Sequence, residues 1–178
     1  MIETARLILR NWREDDIEPF IRHTNTPAVM RWLGGVKSDE DHRTAFRDRI
    51  MRWQESGFTF WAVERKADRE LLGFCGLKIA DSEGSPIEGM LEVGWRLRED
   101  AWGQGYAKEA AIASLDFAFE TLRAERVVAI TFRGNEPSWG LMERLGMTRR
   151  PELDYDDERF PTLNPTIVYD IRPGELRR

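Results

Sequence analysis

Val127-Val128-Ala129-Ile130-Thr131-Phe132 is an almost unbroken apolar run of strand-forming residues. Such a strand has no polar face to offer water, so it belongs in the middle of a sheet covered on both sides. The rest of the chain must then supply flanking strands and helices for two faces, and the pattern provides both. Leu91-Glu92-Val93-Gly94-Trp95-Arg96-Leu97 alternates, with Leu91, Val93, Trp95 and Leu97 on one face and Glu92, Gly94 and Arg96 on the other. Phe58 to Val63 and Leu71 to Ala80 read as strands separated by the turn Lys66-Ala67-Asp68-Arg69, and Arg6 to Arg10 and Thr166 to Ile171 as two more.

Helices fill the intervals. Asp15 and Asp16 start one that carries Ile17, Phe20 and Ile21, and Thr26-Pro27 opens a short second. Ser38-Asp39-Glu40-Asp41 opens a third, with Phe46, Ile50 and Trp53 as its apolar stripe and Gly57 as its stop. The longest runs from about Gly105 to Leu122, burying Ala107, Ala111, Leu115, Ala118 and Leu122. A short one covers Pro137 to Leu145, ended by Gly146. Ser82 to Gly89 is a polar loop, and Asp154, Asp156, Asp157 and Glu158 read as a solvated acidic loop. The order predicts one mixed α/β domain over 1–178.

Composition removes several function classes. No apolar run reaches the roughly 18 residues of a membrane span, and the first residues lack a basic stretch followed by an apolar one, which predicts no membrane partner and a cytoplasmic protein. Cys75, the single cysteine, lies in an apolar run and reads as a buried small hydrophobe, which fits a reducing compartment. A net charge of −5 argues against nucleic acid as a partner. His23 and His42 are too few and too isolated to predict a metal site.

The segment Trp102-Gly103-Gln104-Gly105-Tyr106-Ala107 joins the alternating strand to the long helix. Two glycines let the backbone approach a ligand closely. The first-turn amides of the helix lack internal partners, and the helix dipole adds positive charge there. Together they make an anion site suited to a pyrophosphate. Lys108 stands where a dinucleotide fingerprint needs a third glycine, and no Gly-Lys-Ser/Thr is present. A glycine turn ahead of an amphipathic helix remains the plainer alternative.

Four stretches together resemble the GNAT superfamily of N-acetyltransferases, in its RimJ/RimL-like branch: Glu3 to Arg10, Leu91 to Leu97, Trp102 to Ala110, and Asn135-Glu136-Pro137-Ser138 followed by Met142 to Met147. The resemblance implies a mixed, mostly antiparallel sheet of about seven strands, flanked by helices and splayed between 91–97 and 127–132. It implies acetyl-CoA as co-substrate and no metal. The amides of Trp95 and Leu97 would hold the pantetheine arm. Those of the loop that starts at Trp102, from Gly103 through Gln104, Gly105 and Tyr106 to Ala107, would hold the pyrophosphate, and Asn135 would hydrogen-bond the pantetheine. The partner would be an amine acceptor, a small molecule or a protein N-terminus; a homodimer stays open.

Direct transfer needs a neutral amine, whereas a lysine-like amine with a pKa near about 10.4 arrives protonated. Glu92, on the face opposite the apolar stripe, is the candidate base, because similar family members use a glutamate from this strand. A salt bridge to Arg96 is its structural alternative. Ser138 is the candidate partner of the departing thiolate, with a helix first-turn hydroxyl as the alternative. Many relatives carry a proton-donating tyrosine where this chain has Met142. That departure keeps a second reading open: a non-catalytic acyl-CoA-binding sensor or scaffold.

Overall fold

The computed structural model describes residues 1–178. The strands are β1 (Ile2–Glu3), β2 (Leu7–Arg10), β3 (Phe60–Arg65), β4 (Leu71–Ile79), β5 (Leu91–Leu97), β6 (Val127–Phe132), β7 (Thr148–Arg149) and β8 (Thr166–Ile171). The helices are α1 (Ile17–Thr24), α2 (Pro27–Met30), α3 (Asp39–Ser56), α4 (Tyr106–Asp116) and α5 (Glu136–Leu145). One eight-stranded sheet has the order β1-β2-β3-β4-β5-β6-β8-β7, antiparallel throughout except where β5 lies parallel to β6. The count exceeds seven through β1 and β7, two-residue edge pairings too short to leave a periodic signal.

Each face of the sheet has its own cover. On one, α4 and α5 pack over Leu7, Leu9, Trp61, Cys75, Val93, Ala129 and Tyr169 in the larger core. Ala110, Ala111, Ser114, Leu115 and Ala118 are fully buried beneath the α4 segment, which continues from Phe117 to Thr121 as a wider π turn. Small residues at these positions let the helix sit close on the strands. Ala107 and Leu122, expected at the same depth, only edge the core. On the other face, Trp12, Phe20, Phe46, Ala62, Leu71 and Phe74 form a compact aromatic cluster under α1 and α3.

Three details depart from the expected pattern. Trp53 is exposed, because α3 overhangs the sheet from Met51 onward; its buried stripe runs through His42 and Phe46 instead. The acidic loop is only partly solvated, since Asp154 pairs with Arg149 and buried Asp157 pairs with Arg159 at 2.7 Å. Glu92 does not meet Arg96, because four residues along a strand separate them by roughly 13 Å. Its cross-strand partner is Lys78, 3.5 Å away.

A buried ion network fastens β2 to β3 and to the turn before α1. Arg10 donates to Asp16 at 2.7 and 2.8 Å and to Glu64 at 2.6 Å, all three nearly inaccessible to solvent. We expect Arg10→Met to destabilise the protein by about 3 kcal/mol or more, because it strands buried carboxylates. Urea unfolding of the two proteins measures the difference.

Candidate active site

β5 and β6 share a single register pair, Glu92 with Val128, and then diverge. The Arg98 amide donates to Leu72 O on β4 at 2.8 Å. Amides alternate along a strand, so those of Gly94 and Arg96 also point to β4, and those of Trp95 and Leu97 point into the opening toward β6. No neighbouring strand claims them there. Because β5 and β6 run parallel, their carboxyl ends open on the same edge of the sheet, the usual place for a ligand beside parallel strands.

The loop after β5 emerges at that edge. Gly103 and Gly105 have φ of 71° and 80°, a left-handed conformation that side chains resist. Gly105 caps α4, and no side chain caps that end, so the first-turn amides are free for an anion. Side chains hold the loop from both flanks. Trp102 Nε1 donates to Leu97 O at 2.8 Å, and its indole is half exposed. Arg6 Nη1 donates to Gln104 O at 2.9 Å, and the Arg6 guanidinium stacks 4.5 Å from the centre of the buried Tyr106 ring. Glu109 accepts from Thr4 Oγ1 (2.6 Å), the Arg6 amide (2.8 Å) and Arg6 Nε (2.7 Å), and these bonds hold its carboxyl below the usual range against the opposing pull of burial. This clamp from the N-terminal segment was invisible in the sequence, since it joins residues more than a hundred positions apart.

The segment after β6 faces the loop across the opening. Asn135 precedes α5, and its Nδ2 donates to Thr131 Oγ1 at 3.0 Å. Ser138 lies in the first turn of α5 and is half buried; its amide donates to Asn135 O at 3.0 Å. Met142, one turn on, is sealed in the core at 1% exposure and offers no proton. Trp95, Leu97, Trp102–Ala107, Asn135 and Ser138 thus gather at the mouth of the splay, while Glu92 stands at its closed end.

Glu92 is 6% exposed. Burial pushes its carboxyl above the usual range, partly offset by Lys78. Lys78 is shared with Asp81 at 2.8 Å, and Arg159 joins the group through Ser82 Oγ at 2.6 Å. The loop carrying Tyr155 and Arg159 therefore packs beside the carboxylate, a neighbourhood the sequence did not announce. Cys75 is fully buried, with its thiol pushed up to about 12 by desolvation. His42 is also buried and is pushed down to about 4, by desolvation and then by Arg96 and Arg49. His23 has no place in the site.

Comparison with known proteins gives a consistent answer. The family model described as an acetyltransferase (GNAT) domain matches residues 6–148. YoaA of Bacillus subtilis, an uncharacterized N-acetyltransferase, is 26% identical over 178 residues, covering 98% of each chain. An acetyltransferase from Agrobacterium tumefaciens superposes with a TM-score of 0.82 at 27% identity, covering 96% of this chain and 93% of that one. A spermidine N-acetyltransferase from Vibrio cholerae, solved with CoA and spermine, shares the fold with a TM-score of 0.75 at 16% identity, covering 97% and 98%. With the splay, the glycine loop and the parallel strand pair in place, this chain belongs to the GNAT family of N-acetyltransferases, in its RimJ/RimL-like branch.

Proposed function

We propose that this N-acetyltransferase, acting as one catalytic domain over 1–178, passes the acetyl group of acetyl-CoA directly to a primary amine while both substrates are bound. The observation that carries the reading is the pair of unclaimed amides, Trp95 and Leu97, facing a splay that ends at an uncapped helix with two left-handed glycines. A pantetheine arm is a strand-like ligand with amides of its own, and those two groups are what it would hydrogen-bond. The amides of Gly103 through Ala107 suit the pyrophosphate, with Trp102 bracing the loop, and Asn135 Oδ1 suits a pantetheine amide.

Glu92 is assigned as the base. A carboxyl whose pKa is raised by burial takes a proton near neutral pH better than an ordinary one. The amine nitrogen, relieved of its proton by Glu92, attacks the thioester carbonyl. The nitrogen loses its second proton as the carbon–sulfur bond breaks, and CoA leaves as a thiolate that takes up a proton from solvent. The Ser138 hydroxyl is assigned as the hydrogen-bond donor to that thiolate, the role Met142 cannot fill. Direct attack is favoured over an acyl-enzyme because the one thiol, Cys75, is buried and held protonated. The acceptor is a small-molecule amine or a protein N-terminal amine. The spermine-bound relative makes polyamines one class to screen.

Two variants test the assignment. We expect Gly105→Val to weaken acetyl-CoA binding by about tenfold or more, since a β-branched residue resists the φ of 80°; calorimetry measures it, and unchanged affinity refutes the loop. In the wild type, kcat/KM should fall as pH drops through the raised Glu92 pKa. Glu92→Gln should lose that limb and at least about 10²-fold of rate at neutral pH.

The same variant has a stability signature. Glu92 holds its proton more tightly folded than unfolded, so it weighs increasingly against folding as pH rises from the unfolded pKa to the folded one, and by a constant amount above that. Glu92→Gln should therefore gain thermal stability relative to wild type as pH rises through that value, and show no gain at acid pH. Melting curves across pH check the sign.

A further inference from the structure

A second feature on the Glu92 face of β5 has no role in donor binding. Arg96 and, from α3, Arg49 both lie against the rings of Phe20 and Phe74. Their guanidinium carbons are 5.2 and 4.8 Å from the Phe74 centroid and 5.5 and 5.3 Å from that of Phe20. Arg96 Nε and Nη1, Arg49 Nη1 and His42 Nε2 are covered from solvent and make no hydrogen bond. Burial lowers Arg49 to about 9, with a further push from Arg96, and burial lowers Arg96 to about 10. Both remain cations at neutral pH.

Unpaired buried charge is among the costliest arrangements in a protein, and aromatic faces offset only part of it. Nearby acids do not neutralise it. Asp41 is turned to the Ser38 hydroxyl at 2.7 Å, and Asp48, whose charge favours the Arg49 cation, stays beyond salt-bridge distance of it. A cleft of about 570 Å³ lies beside these groups, bordered by Lys37, His42, Arg49 and Arg96 and also by the acids Asp41 and Asp48. Two guanidiniums, a lysine and a ring nitrogen around one cleft match a planar anion that accepts several hydrogen bonds.

Position relative to the base gives this cleft its meaning. Phe74, Gly76 and Lys78 of β4 stand opposite Arg96, Gly94 and Glu92 of β5, so all share one face. Gly94 stands between the base and Arg96, about 6 to 7 Å of strand from each, and the Phe60 ring lies over it, close enough to meet an added Cβ at 2.9 Å. An acceptor crossing this face can set its amine toward Glu92 and an anionic group toward Arg96. We infer that Arg49, Arg96 and His42 form the carboxylate-binding end of the acceptor site, and that the acceptor is a small amine that itself carries a carboxylate. The inference rests on Glu92 marking the acceptor side.

The test pairs each amino-carboxylate, across a series of amine-to-carboxylate spacings, with its carboxamide. CoA thiol release is followed in wild type, Arg49→Met, Arg96→Met and Arg96→Lys. Wild type should favour the carboxylate by at least about 30-fold in kcat/KM. The methionine variants should bring that ratio near one, and Arg96→Lys should restore part of it. The methionine variants should also melt higher than wild type without ligand, because they remove unpaired buried charge. A merely structural arginine would give the opposite shift. Calorimetric binding of the amino-carboxylates to wild type and variants reads the same cleft without turnover. Equal use of carboxylate and amide, or a preference that survives Arg96→Met, overturns the inference while leaving amine acetylation intact. Preference for polyamines or peptide N-termini overturns it too. Acetyl-CoA binding with no acetylation of any amine, yet carboxylate binding lost in the methionine variants, would fail the direct-transfer reading and keep the cleft.

Discussion

The arrangement of this molecule depends on two parallel strands that touch once and then part. Hydrogen-bonding groups inside a protein are rarely left without partners. A sheet that opens between β5 and β6 therefore exposes a row of backbone donors where the centre of the sheet would otherwise be closed. The opening persists because each strand is secured on its outer side, β5 by seven register pairs with β4 and β6 by six with β8. The two half-sheets are rigid, and the gap is their shared edge. The glycine loop, α4 and the start of α5 all hang from the rim of that gap.

Two devices hold the rim. From outside, Glu109 binds the backbone and side chains of the N-terminal segment, and Arg6 bonds the loop carbonyl at Gln104. From inside, Trp102 ties the loop to the last residue of β5. The loop thus keeps its curvature through side-chain bonds at its flanks, which leaves its amides uncommitted. Across the sheet, one face of β5 carries a buried acid at one end and a half-buried guanidinium at the other, treated differently. Glu92 has Lys78 as a partner, whereas Arg96 has only aromatic faces and a second cation. That asymmetry is characteristic of a surface arranged for a ligand rather than for its own stability.

Periodicity made most of this fold legible. β5, β6, α3, α4 and α5 fall where alternation, apolar runs and glycine stops put them, because those signals are local. Strands β1 and β7 were beyond reach, since two residues carry no period. Trp53 misled for a different reason: a stripe marks which side of a helix is apolar, not how far along its length the sheet extends. In the site, the glycine loop and the alternation of β5 could be read directly. The partners of Glu92, the Arg6–Glu109 clamp and the meeting of Arg49 with Arg96 could not, because each joins distant segments through side chains. Nothing in a charged residue's neighbours along the chain tells which opposite charge it will find, or that it will find none.

Cys75 carries one more consequence. Its sulfur lies 3.7 Å from Ser114 Oγ, enclosed between β4 and the middle of α4. A thiol-directed dye can reach it only in molecules whose α4 has lifted from the sheet. The rate at which such a dye is incorporated is therefore a clock for that opening alone. A bound ligand that joins the α4 end to β5 would slow the clock, so a single buried sulfur atom records how firmly the two sides of the splay are held together.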